Sequence, residues 1–305
     1  MNAVELRNVT KTFGDYTAVD DLTLEVPAGS IYGFIGPNGS GKTTTLRMIV
    51  NILAPDRGTR RVFGEQLQGA CSDRIGYLPE ERGLYRKMRV RDVLRFYGQL
   101  KNPAVTLADI DAWLVRLDLK EWGSRPVEAL SKGMSQKVQF IAAVVSRPEL
   151  LILDEPFSGL DPVAGDELKA AVLELNKQGT TIILSTHDMS VAENLCDFIF
   201  MIYRGRKVLD GTLTAIQDQY GSSTLRVTLD DGDDGAAFAG LPGVTQVVDQ
   251  GAWHELKTTP ECDSQQVLLA LAGRARVRRF EVARPSLHDI FVQIARPELE
   301  EVKHA

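Results

Sequence analysis

One stretch, Gly36-Pro37-Asn38-Gly39-Ser40-Gly41-Lys42-Thr43-Thr44, constrains this chain more than any other. It fits the pattern G-x-x-x-x-G-K-[ST], a loop that cradles phosphates between a strand and a helix. An apolar run, Ile31-Tyr32-Gly33-Phe34-Ile35, leads in, and Thr45-Leu46-Arg47-Met48-Ile49-Val50 leads out at helical spacing. Glycines let backbone N–H groups curl around an anion without Cβ clashes, and the emerging helix points its positive end at it. Lys42 supplies a mobile charge for β- and γ-phosphates, and the Thr43 hydroxyl is a hard oxygen ligand for Mg²⁺. Strand, loop and helix in this order set the bland reading, a Gly-rich turn, well behind a site for a nucleoside triphosphate.

The rest of the composition narrows the setting. With 305 residues the chain is long enough for two domains, and its 44% apolar and 25% charged residues are ordinary for a globular protein. A net charge of −6 weighs against a nucleic-acid partner. Cys71, Cys196 and Cys262 are scattered, form no C-x-x-C pair and suit a reducing compartment. No apolar run approaches the roughly 20 residues that span a bilayer, and no basic-then-apolar leader opens the chain. A cytoplasmic location is expected.

Strand patterns at Val4–Val9, Leu22–Val26, Arg61–Phe63 and Arg74–Leu78 give way to helical spacing from about Val90 to Arg147. Strands return at Leu150–Leu153, Thr181–Leu184 and Phe198–Met201 with helical runs between them. The alternation predicts an α/β fold with a largely parallel sheet. Composition shifts again near Tyr220-Gly221-Ser222-Ser223, which predicts domains at 1–220 and 221–305. The second reads as strand, acidic loop, short helix, two strands, helix, strand and closing helix, a small α+β domain of the split βαβ kind.

Three further sites carry chemistry. Leu150-Leu151-Ile152-Leu153-Asp154-Glu155 delivers two carboxylates at a strand's C-terminal end, where ligands bind in parallel sheets. Asp154 can hold Mg²⁺ and Glu155 can polarise an attacking water. His187 ends the strand at Thr181–Leu184 and so can reach a γ-phosphate, although a lone histidine is ordinarily structural. Leu130-Ser131-Lys132-Gly133-Met134 precedes an apolar helix; Ser131 is a natural N-cap and Gly133 leaves a first-turn N–H exposed. On the residues alone this last feature is either an ordinary capped helix or a second anion site.

Together these residues resemble the nucleotide-binding subunit of an ATP-binding cassette (ABC) transporter. GPNGSGKTT looks like its Walker A, LLILDEP its Walker B, LSKGM its signature, Ser158-Gly159-Leu160-Asp161 its D-loop, and His187 its switch histidine. The order holds from Val4 to about Leu213. The resemblance implies a P-loop NTPase cassette whose mixed sheet carries an inserted helical arm at about 80–148. It also implies ATP as substrate, Mg²⁺ as cofactor, and a head-to-tail dimer in which Ser131, Gly133 and Asp161 act on a second copy's nucleotide. Phe13 would stack on adenine, with Tyr16 the other candidate and a core role the alternative. Glu80 stands where the family usually has a Gln; it can ligate Mg²⁺ through oxygen but adds negative charge near the phosphates. Lys132 and Met134 replace the usual Gly and Gln of the signature.

The run Pro79-Glu80-Glu81-Arg82-Gly83-Leu84-Tyr85 and the C-terminal region are similar to cassettes serving ABC-2-type exporters. That subgroup implies an integral-membrane permease as partner, met by about Glu80–Gly98 at the inner face of the cell membrane. The alternative function is a soluble ABC ATPase that remodels nucleic acid or ribosomes; those usually carry two cassettes or a coiled-coil insertion, absent here. A P-loop kinase or GTPase leaves LSKGM, SGLD and His187 unexplained. Asp230–Asp234 reads as a solvated loop, and Arg274, Arg276 and Arg278 as the charged outer face of a strand.

Overall fold

The computed structural model describes residues 1–66, 73–81, 83–220, 224–230, 236–259 and 261–303. Cys71, Arg82, residues 221–223 and the acidic run 231–235 lie outside them. Two compact units emerge, Met1–Leu213 and Thr214–Ala305.

The first unit opens with a hairpin, β1 (Asn2–Phe13) and β2 (Tyr16–Pro27), longer than the alternation predicts. Asn8 and Asp21 explain the difference. Both take a left-handed backbone (φ 50° and 49°), and the Asn8 amide donates to the Asp21 carboxylate at 2.9 Å. The register slips around them, which hides the strands' true length from a period-two pattern. With β4 (Arg57–Val62) and β5 (Glu65–Gln66) the hairpin forms an antiparallel sheet in the order β2-β1-β4-β5.

The second sheet holds β3 (Ile31–Ile35), β6 (Ile75–Leu78), β7 (Leu150–Asp154), β8 (Thr181–Thr186), β9 (Phe198–Tyr203) and β10 (Arg206–Thr212). Its order is β10-β9-β3-β8-β7-β6, and every pair is parallel except β9 with β10. Every residue of β3, β7 and β8 is buried, as continuous apolar runs covered on both faces require. Leu151 and Leu153 point into one core with Leu94, Ile110 and Phe140; Leu150 and Ile152 point into another with Phe34, Leu46 and Phe200. Truncating Ile152 or Leu153 to Ala is therefore expected to cost ~2–5 kcal/mol.

Helix α1 (Lys42–Ile49) follows β3. Between β6 and β7 lies the expected arm: α2 (Val90–Lys101), α3 (Leu107–Arg116) and α4 (Lys132–Val144). Helices α5 (Pro162–Lys177) and α6 (Met189–Leu195) lead into β8 and β9. The C-terminal ends of β3, β6, β7 and β8 thus release Gly36, Glu80, Glu155 and His187 at one edge of one sheet, the usual ligand edge of such sheets.

The second unit takes in most of α7 (Leu213–Tyr220), so the break falls ahead of the expected position at Tyr220. Gln217 donates to the Pro285 carbonyl (3.1 Å) and Asp218 pairs with Arg284 (3.4 Å), which ties that helix to the C-terminal unit. Strands β11 (Thr224–Leu229), β12 (Val244–Asp249), β13 (His254–Thr258) and β14 (Val277–Ala283) order as β12-β13-β11-β14, all antiparallel, the split βαβ topology. Helices α8 (Ser264–Ala272) and α9 (Leu287–Lys303) complete the unit. The predicted short helix shrinks to a single 3₁₀ turn, Ala236–Phe238, because Gly240 and Gly243 (φ 62° and 70°) flank Pro242 just beyond it. Arg274 does not lie on a strand face; its guanidinium donates to the carbonyls of Ala237 and Ala239 and closes that turn. Among the described residues no helix is long and apolar enough to cross a membrane.

Candidate nucleotide site

The loop after β3 is shaped by two glycines. Gly36 (φ 154°) and Gly41 (φ 108°) leave no room for a side chain. A Cβ would fall 2.2 Å from the Ile202 carbonyl oxygen at the first and 2.4 Å from that of Ala18 at the second. Gly41 occupies the N-cap of α1 and offers no side-chain acceptor, so nothing from the cap itself competes for the first-turn N–H groups. Gly41, Lys42, Thr43 and Thr44 line a cleft of about 410 Å³ together with Asn38, Gly39, Tyr16, Glu80 and Glu155. Pro37 and Gly36 stand behind the wall, where their carbonyls accept from Lys42 Nζ at 3.1 and 2.7 Å. Ser40 is buried, with its Oγ lacking a partner.

Lys42 is itself buried, and burial pushes its ammonium below the ordinary lysine range against the pull of Glu155 and Asp154. Its Nζ lies 3.9 Å from Glu155 Oε1. Folded onto two carbonyls, it holds its charge ready for a better anion.

The carboxylates are built with equal care. Asp154 is fully buried; Oδ1 accepts from Ser185 Oγ at 2.9 Å, while Oδ2 has no partner. Glu155 adopts a left-handed backbone (φ 51°), a conformation that strains a side-chain-bearing residue. Its N–H donates to the Ser185 carbonyl (3.1 Å), and His187 Nδ1–H donates to Oε2 at 2.9 Å. Burial raises the carboxyl above its usual range, and the His187 contact offsets part of that rise. Oε1 accepts no hydrogen bond. Buried carboxylate oxygens that accept no hydrogen bond are costly; Glu155 lines the cleft with Thr43, Asp154 lies behind it, and all three offer hard oxygens of the kind Mg²⁺ takes. Among the described residues no cage of three His, Cys, Asp or Glu side chains stands ready-made.

Other expected residues are not gathered here. Ser131 caps α4, its Oγ accepting from the Met134 N–H at 3.2 Å, and is exposed at that helix end with Gly133 two residues on. Asp161 caps α5, accepting from the Ala164 N–H at 3.0 Å, which lowers its carboxyl from the ordinary value. None of the three lines the cleft. Phe13 does not line it either, whereas Tyr16 does, its hydroxyl donating to the Gly39 carbonyl at 3.1 Å. Both aromatics are about half exposed, at 50% and 58%, which removes the core alternative. They are cross-strand partners beside the Gly14-Asp15 turn, so they share one face of the hairpin. Ser185, which anchors Asp154, is not marked by any motif; a lone serine ending the run Thr181-Ile182-Ile183-Leu184-Ser185 is the one signal the sequence offers.

Comparison with known proteins identifies the family to which this fold belongs. Residues 19–158 match a family described as ABC transporter, and residues 211–295 match one described as ATP-binding protein DrrA1-3-like, C-terminal domain. The chain is 42% identical to the ABC transporter ATP-binding protein YhaQ of Bacillus subtilis over 94% of its own length and 96% of that protein's. It is 33% identical to the daunorubicin resistance ATP-binding protein DrrA3 of Streptomyces coeruleorubidus, over 96% of its length and 95% of the relative's. The same identity, over 98% and 88%, links it to the Nod factor export ATP-binding protein I of Sinorhizobium fredii. Among solved structures, an ATP-binding subunit of an ABC transporter superposes with a TM-score of 0.67 at 31% identity, over 72% of this chain and 93% of that one.

Proposed function

The chain belongs to the ABC transporter ATP-binding family, whose cassettes hydrolyse ATP to power transport, and from that premise we propose how its residues divide the work. The observation that carries the reading is one cluster: Glu155 buried in a strained backbone, on His187 at 2.9 Å and Lys42 at 3.9 Å, at the mouth of a phosphate loop.

Glu155 accepts the proton of the attacking water. His187 holds that carboxylate in place and presents its ring to the γ-phosphate. Lys42 leaves its two loop carbonyls for the β- and γ-phosphates, and the N–H groups of Gly39 to Thr44 wrap the β-phosphate. Mg²⁺ would be held by the Thr43 hydroxyl, Asp154 and Glu80, and supplies charge neutralisation at the phosphates. The hairpin aromatics, Phe13 with Tyr16 beside it, cover the adenine. Ser131, Gly133 and Asp161 lie outside the chain's own cleft, which supports a head-to-tail dimer in which they serve a second copy's nucleotide.

The partner is then an integral-membrane permease, met through about Glu80–Gly98, which places this chain at the inner face of the cell membrane. Export is the direction that the names of the Nod factor and daunorubicin resistance relatives support. The DrrA-like C-terminal match supports the ABC-2-type subgroup, and no comparison favours a remodeller of nucleic acid or ribosomes. Glu155→Gln tests the core of the reading. Hydrolysis is expected to fall by about 10²–10⁴, as loss of a general base predicts. ATP binding should persist, and the protein should accumulate as a dimer by light scattering. Full turnover in this variant removes Glu155 from its role.

A further inference from the structure

Helix α4 carries polar residues where a core helix would normally be apolar. Ser135, Gln136, Lys137 and Gln139 are all buried. Gln136 and Gln139 are three apart and share a face. Gln136 Nε2 donates to the Pro156 carbonyl at 3.3 Å, and Gln139 Nε2 donates to the Glu81 carbonyl at 2.9 Å. Each acceptor adjoins a cleft carboxylate: Pro156 follows Glu155, and Glu81 follows Glu80. Gln139 Oε1 accepts no hydrogen bond, so this amide bonds here through its donor alone. On another side of the helix Lys137 donates to the Leu117 carbonyl (3.2 Å) and pairs with Glu167 (2.5 Å). At its exposed end Lys132 lies across Gly159, where a Cβ would come within 2.5 Å of Nζ.

We propose that Gln136 and Gln139 are positioning residues that tie the Ser131 end of α4 to the two carboxylate loops of the chain's own cleft. A phosphate captured there from a second copy would thereby set the placement of Glu155 and Glu80. A helix is stiff, and at 1.5 Å per residue the two amides lie only ~7.5 and ~12 Å from Ser131 along its axis. Hydrogen bonds from buried amides to single carbonyls are either made or broken, so a shift of the helix is passed on rather than absorbed. The Pro156 carbonyl directly follows the strained Glu155 backbone, so moving it re-aims that side chain. The relay rests on the head-to-tail reading above and makes the two sites of a dimer cooperative.

Gln136→Met and Gln139→Met keep side-chain length and remove the donor. Each folded variant is expected to bind a fluorescent ATP analogue with Mg²⁺ within twofold of wild type at dilute, monomeric concentration. Its kcat should fall at least fivefold, and the Hill coefficient for ATP should move towards 1. A kcat and Hill coefficient both unchanged overturn the relay, and so does a rise in KM with kcat intact, which marks mere packing. If the variants do not fold, hydrogen exchange on folded chains decides. At saturating ATP, amides at Glu80–Glu81 and Phe157–Ser158 should be at least threefold better protected in wild type than in Ser131→Arg; equal protection overturns the proposal. Absence of any ATP-dependent dimer of Glu155→Gln sinks the head-to-tail reading itself, and the relay with it.

Discussion

Two helices of the cassette start in opposite ways. Helix α1 begins at Gly41, which has no side chain to give, and its first turn opens into the cleft. Helix α4 begins at Ser131, whose hydroxyl already accepts the Met134 N–H, and it opens onto solvent. Both ends carry the same positive partial charge. The difference is in what each leaves unmet. Around α1 stand a buried cation and two buried carboxylate oxygens that accept no hydrogen bond, a site that is costly until a ligand arrives. At the start of α4 the exposed Ser131 hydroxyl is satisfied locally by the Met134 N–H, so that end can wait in water at little cost. A whole site and half a site have different energetics, and the sequence motifs alone do not distinguish them.

Substitutions at the two ends should separate these roles. Ser131→Arg places a bulky cation at the self-capped end. Hydrolysis is expected to fall by about 10²–10³, the loss typical of one transition-state donor, while ATP binding to a single chain stays within twofold. Loss of binding by the monomer would break the comparison, because it would make both ends one site. Lys42→Ala strikes the other end. Removing a charged hydrogen bond of roughly 1.5–3 kcal/mol should weaken ATP binding by ~10- to 100-fold, read by equilibrium titration. Unchanged affinity would mean that Lys42 stays on the Gly36 and Pro37 carbonyls in the loaded state. Smaller still is the adenine end. Phe13→Ala and Tyr16→Ala should each cost about 0.5–1.5 kcal/mol of ATP affinity, and little affinity for inorganic triphosphate. The larger loss identifies the ring that lies on the base.

How legible all this is depends on how local the cause is. The loop at Gly36–Thr44 and the run Leu150–Glu155 announce themselves because strand, turn chemistry and ligand type coincide within a few residues. The hairpin's extent is hidden because the αL residues Asn8 and Asp21 break the alternation they sit in. Phe13 and Tyr16 cannot be ranked by spacing, since a two-residue turn puts both on one face. Gln136 and Gln139 are invisible for a different reason. A glutamine pair at helical spacing reads as a solvated face, and only the fold reveals that loops from distant parts of the chain cover it. The allegiance of α7 is likewise set by Pro285 and Arg284, far downstream of it.

The least expected effect is a gain. Glu155 has its carboxyl raised by burial, so in the folded state its ionised form is penalised relative to the unfolded chain. The direction of that rise sets the pH dependence. Stability associated with this group is fully present below the ordinary carboxylate pKa and is lost as pH rises through the raised one. Glu155→Gln removes the penalty, so its apparent Tm should exceed that of wild type at neutral pH. The gain would be roughly 2–4 °C for each kcal/mol recovered in a unit of this size. The difference should vanish below about pH 4, where the wild-type side chain is protonated in both states. Because His187 and Lys42 offset part of the penalty, His187→Ala should widen the gap. A Tm for Glu155→Gln at or below wild type at pH 7 would show that these partners outweigh desolvation. The cleft around α1 would then be no more costly to maintain than the self-capped end of α4.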